Sequence, residues 1–354
     1  MDDSDPLAPI ALPDTLLDDA ATKAHRLDVG ELTTREHLTK LTAAGFTDVG
    51  IGAGAGTLLE QAAVIEAFAE RSLSVAFSLW CHRMCLDYAF SSGPAHLLHT
   101  LQTAGAIGSS AMAEGFRHAA GLADLSLTVE RAGTGQLRLS GRVPWASNLF
   151  NDAIVFAAAH GPWGTPVIIA FPTNAPGVTV EQDLELLALR GTASTSVTVH
   201  DVLLPEEHLI ATDFSTFIRR ARPVLSLLQA SFCFGLANES YRHTVAQVAG
   251  VNAIFQPDVS SLGERLARAK QQFVELAPLI ETDRPPRIDR VLALRLEAGV
   301  LAKQLTRLET MTAGSRGFVT TSGVNRRYRE ATFIPLQAPS EAQLRTELAD
   351  LRQT

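Results

Sequence analysis

Trp145 and Ser147, near the end of the stretch Arg138-Leu-Ser-Gly-Arg-Val-Pro-Trp-Ala-Ser-Asn148, are the residues best suited to chemistry in this chain. An indole offers a stacking or edge contact to a planar aromatic ligand. A small hydroxyl two positions away can hydrogen-bond a ring nitrogen of the same ligand. Cys81, His82 and Cys85 have the types of metal ligands, but one short cluster cannot complete a tetrahedral site. They read as core or pocket-wall residues, and no metal is expected. His82 is the titratable group of that segment, either an acid–base residue or a satisfied buried imidazole. Gly52-Ala-Gly-Ala-Gly56 precedes an apolar-periodic helix and could cradle a phosphate. No lysine follows it and no clear strand precedes it, so it reads as a connector.

The elements that must position these residues follow from periodicity. Thr33-Thr-Arg-Glu36 has capping-box spacing, with Leu38, Leu41 and Phe46 near helical period behind it. Leu58, Ala62, Ile65 and Phe68 mark a second helix, and Ser74 to Thr100 continue as helix with a break at Gly93-Pro94. After Ala106 the period changes to two: Leu125-Ser-Leu-Thr-Val, a Gly133-Thr-Gly135 turn, Gln136-Leu-Arg-Leu-Ser, and later Val197-Thr-Val-His. The hydroxyl run Thr192 to Thr198 reads as a polar strand and turn. From Phe214 the helical period returns; Leu294, Ala298, Leu301, Leu305 and Leu308 form one apolar face, with Thr282-Asp-Arg-Pro-Pro286 as an inter-helix loop.

Composition bounds the function. A chain of 354 residues can bury a sizeable core, and 46% hydrophobic with 19% charged residues is ordinary for a globular protein. A net charge of -8 disfavours nucleic acid or an anionic membrane as partner. Three cysteines without framework spacing fit a reducing cytoplasm, and the acidic start Met1-Asp-Asp-Ser-Asp5 is no signal peptide. No apolar run is long enough to span a bilayer.

Three segments in order resemble the acyl-CoA dehydrogenase superfamily of flavoproteins. They are the Trp145 stretch, Leu189-Arg-Gly-Thr-Ala-Ser-Thr-Ser-Val-Thr-Val-His-Asp-Val-Leu-Leu-Pro205, and Asn325-Arg-Arg-Tyr-Arg-Glu-Ala331. The likeness runs from about Glu31 to Leu351. It implies an N-terminal α-helical domain over residues 1–105, a middle antiparallel β-barrel over 106–212, and a C-terminal four-helix bundle over 213–354. The implied cofactor is FAD, with FMN as the alternative, between barrel and bundle. Trp145 and Ser147 match the family's Trp-x-Thr pair beside the flavin ring, and Met112 and Ala113 fall where its first flavin-contacting strand lies. Gly314-Ser-Arg-Gly-Phe318 and Arg329-Glu-Ala331 match its Gly-Gly-x-Gly-Phe/Tyr and Arg-Asp-Ala elements. Ser340 would touch flavin phosphate or start the last helix.

The departures are equally specific. Many members carry a Glu in the segment Phe333 to Arg345 that takes the α-proton of an acyl-CoA; that place reads Ala338. The alternative place on the first bundle helix is near Leu225. No catalytic residue is therefore assigned. The segment after Glu114 reads Phe-Arg-His-Ala-Ala-Gly121 instead of the family's Gly-x-Gly-Ser-Asp loop. The Arg that binds FAD phosphate across a subunit interface maps to about Asn252, the Gln before the Gly-Gly pair to Met311, and its second Gly to Ser315; Arg316 or Arg242 could substitute. The resemblance implies a flavin-dependent oxidoreductase acting on a small molecule such as an acyl-CoA, as a homodimer or homotetramer. A flavin monooxygenase of the same fold, which needs no α-proton base, and a non-catalytic flavin-poor subunit paired with an active paralogue are the alternatives. An acyl-CoA-binding protein without redox turnover is a weaker one.

Overall fold

The computed structural model describes residues 10–52, 56–103, 105–280, 282 and 285–352. The acidic Met1 to Asp5 start, the Ala53 to Ala55 centre of the glycine stretch and the Asp283-Arg284 part of the loop lie outside the described residues.

Five helices come first: α1 (Asp14–Asp28), α2 (Arg35–Ala43), α3 (Leu58–Arg71), α4 (Leu73–Ser92) and α5 (Ala95–Gln102). Ser72 caps α4, its hydroxyl accepting from the Val75 N–H. Every residue of α4 from Leu73 to Ala89 is buried, because α3, α7 and the sheet pack around it. That explains why the segment reads as evenly apolar and has no solvent stripe. Thr33 to Glu36 does not make the expected capping box. Thr34 is the N-cap of α2 but its hydroxyl makes no cap bond; it faces Ser78 Oγ at 2.7 Å and Gly191 O at 3.3 Å. Tertiary partners have outbid the local cap. Phe46 lies past the end of α2, where its N–H closes the turn onto Leu41 O.

The middle of the chain holds β1 (Ile107–Ala111), the short helix α6 (Ala113–Ala119), and seven further strands. These are β2 (Leu127–Gly133), β3 (Gln136–Ala146), β4 (Ala153–His160), β5 (Pro166–Pro172), β6 (Val178–Val180), β7 (Thr195–Pro205) and β8 (Leu209–Ala211). They form one sheet in the order β6-β7-β3-β2-β4-β5-β8, with β1 on β4. Pairing is mostly antiparallel, as expected, but β1 runs parallel to β4 and β2 meets β4 in parallel at Thr128 and His160. Period-two alternation cannot distinguish those pairings. The chain then returns to helix: α7 (Phe214–Val245), α8 (Gln256–Leu276), α9 (Ile288–Ala313), α10 (Gly323–Ala331) and α11 (Glu341–Asp350). Among the described residues no helix is long and apolar enough to cross a membrane.

Two cores result. One runs through both helical regions, from Ala20 and Phe68 through Phe232 and Leu301 to Ile334. The other lies within the sheet, around Leu139, Val155, Phe171 and Val197. Helix α4 and strand β1 join them. The His82 Nδ1 accepts from Gly108 N–H at 2.8 Å, and β1 comes so close to α4 that a Cβ on Gly108 would stand 2.4 Å from Cys85 Cβ.

Gly108→Ala must push β1 away from a rigid helix, and overpacking of this kind typically costs about 1–3 kcal/mol. Chemical denaturation should show that loss, whereas an unchanged midpoint would mean β1 has room to move. A second outcome concerns acid. Burial drives the His82 imidazole down from 6.5 to about 4, helped by the nearby Arg35 charge, and burial also lowers His37. Both rings are neutral when folded, while the unfolded chain takes up protons below about pH 6.5. The His82 contribution is therefore complete above that pH and is lost as pH falls toward about 4, by about 3 kcal/mol, and the His37 contribution is lost in the same direction. His82→Gln should flatten this part of the stability–pH curve; an unchanged curve would contradict the assignment.

Candidate functional site

A cavity of about 810 Å³ opens where α4, α6, β3, the 186–194 segment, α7 and the Thr332–Thr346 region converge. Met112, Ala113, Trp145, Ser147 and Ser340 all line it. Residues from three separate stretches of sequence thus share one space within the size range of ligand sites.

Local structure explains how each gets there. Between β3 and β7, Val143 pairs with Val197 but Ala146 with Thr195, so one extra residue bulges from β3 at Pro144-Trp145. The bulge leaves Trp145 40% exposed on the cavity wall. Met112 follows the end of β1 as the N-cap of α6, so the segment expected as a strand turns into a helix at Ala113. Ser340 is the N-cap of α11, accepting from Gln343 N–H at 3.2 Å, and lines the cavity as well.

Ser147 is held by its neighbours. Its carbonyl accepts from Ser109 Oγ at 2.6 Å, and its hydroxyl lies 2.6 Å from Ser194 Oγ. Asn148, which the sequence reading passed over, is fully buried with φ of 61°, a region that Asn tolerates better than most residues. Its side-chain amide donates to Ser78 O on α4 and Gly108 O on β1, and its backbone N–H donates to Thr192 O. An Asn directly after a strand was the available signal. The 189–193 segment is itself strained, with Leu189 at φ 63° and Ala193 at φ 46°. Arg329 holds it in place: the guanidinium pairs with buried Asp28 at 2.6 Å and donates to Leu187 O, while Asp28 accepts from Leu189 N–H. The Arg of the Arg-Glu-Ala element is therefore largely spent on architecture.

The electrostatics are one-sided. Among the described lining residues the charged side chains are Arg117 and Arg329, and there is no Asp, Glu or His. Ala338 and Leu225 both line the wall, at the two places where a base was sought. Gln229 on α7 donates to Ala338 O and accepts from the buried Arg295, so the backbone at Ala338 is fixed by neutral and cationic groups. Cys81 lines the cavity, but burial pushes its thiol up to about 12, which removes it as a base near neutrality. His82 does not line the cavity; its ring serves Gly108. The residues that do line it fit a flavin by type: an indole for the ring system, hydroxyls for its polar edge, and the Arg117 guanidinium for phosphate.

The phosphate substitutes considered from sequence are less suited. Asn252 donates its amide to Gln247 O and Thr312 O, and Arg242 is engaged by Glu70 and Glu239. Arg316 reaches Gln247 Oε1 at 3.3 Å.

No protein-family model matches the sequence, and no curated protein matches it. Solved structures do. Butyryl-CoA dehydrogenase from Megasphaera elsdenii superposes with a TM-score of 0.84 at 15% identity, over 98% of this chain and 100% of that one. KijD3 in complex with dTDP gives a TM-score of 0.82 at 16% identity, over 98% and 99%. PigA with FAD and proline gives 0.79 at 15% identity, over 97% and 99%. Likeness at this level of identity and near-complete coverage identifies the architecture: the chain has the acyl-CoA dehydrogenase fold.

Proposed function

We propose that this protein is a flavin-dependent oxidoreductase whose reaction does not begin with α-proton removal by a cavity carboxylate. The observation that carries the reading is the cavity itself: it gathers Met112, Ala113, Trp145, Ser147 and Ser340, and among its described lining residues there is no Asp, Glu or His. FAD, or FMN in its place, would be held by Trp145 and Ser147 at the ring and by Ser340 or Arg117 at phosphate. When bound, the flavin supplies the redox chemistry. The chain's own residues bind, orient and exclude water; Leu122, Leu186, Leu187 and Leu336 give the remaining wall an apolar character suited to a small organic substrate.

The missing base favours one branch over the other. Proton transfer by a positioned side chain contributes roughly 10²–10⁴ in rate, and an acyl-CoA dehydrogenase reaction needs it. Monooxygenation by a flavin does not, so that branch is favoured over dehydrogenation of an acyl thioester. A second reading, a flavin-poor subunit beside an active paralogue, is supported by Asn252, whose amide is committed to backbone carbonyls where the family has a phosphate-binding Arg. Self-association as a homodimer or homotetramer is supported by three apolar side chains left open to solvent, Val251, Ile254 and Phe318, which are 90%, 76% and 89% exposed.

Incubated with excess FAD or FMN and then desalted, the protein should keep a flavin absorption band. Adding butyryl-CoA without oxygen should leave that band unbleached. Trp145→Ala should weaken flavin binding by a few-fold to about tenfold, the value of about 0.5–1.5 kcal/mol for an aromatic contact. A colourless protein under both conditions would overturn the oxidoreductase reading for the isolated chain.

A further inference from the structure

Three hydroxyls run in file along the cavity wall. Ser147 Oγ lies 2.6 Å from Ser194 Oγ, Ser194 Oγ lies 2.7 Å from Thr192 Oγ1, and Thr192 Oγ1 lies 2.7 Å from Leu189 O. All three side chains are at least 94% buried and all line the cavity. The last partner fixes the direction of the file. A backbone carbonyl can only accept, so Thr192 gives its one proton to Leu189 O. Thr192 Oγ1 must then accept from Ser194, and Ser194 in turn must accept from Ser147. Three contacts consume three protons, leaving Ser147 with no proton for a ligand.

We infer that Ser147 presents only lone pairs to the cavity, and that the site therefore selects reduced over oxidised flavin. This rests on the reading of Trp145 and Ser147 as the ring-facing pair. An oxidised isoalloxazine offers acceptors along its central edge, N5 among them, and would meet the lone pairs of Ser147 unfavourably. Two-electron reduction places a hydrogen on N5, converting that edge into a donor that matches an acceptor-only hydroxyl. Reversing the file so that Ser147 could donate would leave the short Thr192–Leu189 contact without a proton. One hydrogen bond is at stake, worth up to about 1.5 kcal/mol, so the preference for the reduced form should be about tenfold. No other described group donates to Ser147 Oγ, so its acceptor capacity is available to a ligand.

The direction can be inverted by one substitution. In Thr192→Val, Ser194 loses its acceptor and turns its proton toward Ser147, which frees the Ser147 proton for the cavity. Ser194→Ala frees the same proton by removing the acceptor directly. The test is anaerobic titration of the protein with FAD and with dithionite-reduced FAD, read by tryptophan fluorescence, for the wild-type chain and both variants. Tighter binding of reduced FAD by the wild type, with the ratio falling about tenfold in either variant, supports the inference. A wild-type chain that binds oxidised FAD as well as or better than reduced FAD overturns it while leaving the flavin reading intact, as does a ratio unmoved by both variants. Failure of the wild type to bind either form overturns both. If neither variant folds, the wild-type ratio alone decides.

Discussion

The side-chain amide of Asn148 is the interaction on which the site depends. From one buried position it donates to Ser78 O in α4 and to Gly108 O in β1, while its backbone N–H reaches Thr192 O. These three partners belong to the helical core, the sheet, and the strained turn that carries the hydroxyl file. A buried amide with fixed acceptors tolerates little displacement, because each unmade bond leaves a buried N–H unsatisfied. Trp145 and Ser147 sit immediately before it, so their placement is inherited from that tie. The ion pair between Asp28 and Arg329 serves the same end from the other side of the turn.

This arrangement gives the cavity an unusual chemical character. Cations and neutral donors surround the segment where a base would stand: Arg295 and Gln229 hold Ala338, and the wall contributes Arg117 and Arg329. A carboxylate there would be stabilised by such neighbours, yet the chain supplies none. The cavity thus combines an exposed indole and hydroxyls with cationic groups and, among its described lining residues, no acid–base side chain. The carboxylates of the region are spent on structure, as Asp28 on Arg329 and Glu309 on Arg327.

Much of this was legible in the sequence, and the reasons for the exceptions are physical. The change of period near Ala106 and again at Phe214 separated helices from sheet, because a half-buried strand must alternate and a packed helix must step by three and four. Trp145 and Ser147 stood out because aromatic and hydroxyl groups two apart on a strand end share a face. The capping box at Thr33 to Glu36 misled because Thr34 found tertiary partners in Ser78 and Gly191, which no local spacing reveals. Parallel pairing of β1 with β4, the bulge at Trp145, and the role of Asn148 all depend on contacts between distant segments. The hydroxyls of Thr192 to Thr198 read as a polar strand for the same reason: only the fold turns Thr192 and Ser194 toward Ser147.

The central claim is that the cavity beside Trp145 and Ser147 is a flavin site without a base. A crystal structure of the protein grown with FAD tests it most directly. The account predicts an isoalloxazine ring against Trp145, its edge within hydrogen-bond distance of Ser147 Oγ, and no carboxylate or imidazole near the space in front of Ala338. A ring bound elsewhere, or an Asp, Glu or His brought into that space by a partner subunit, would contradict it.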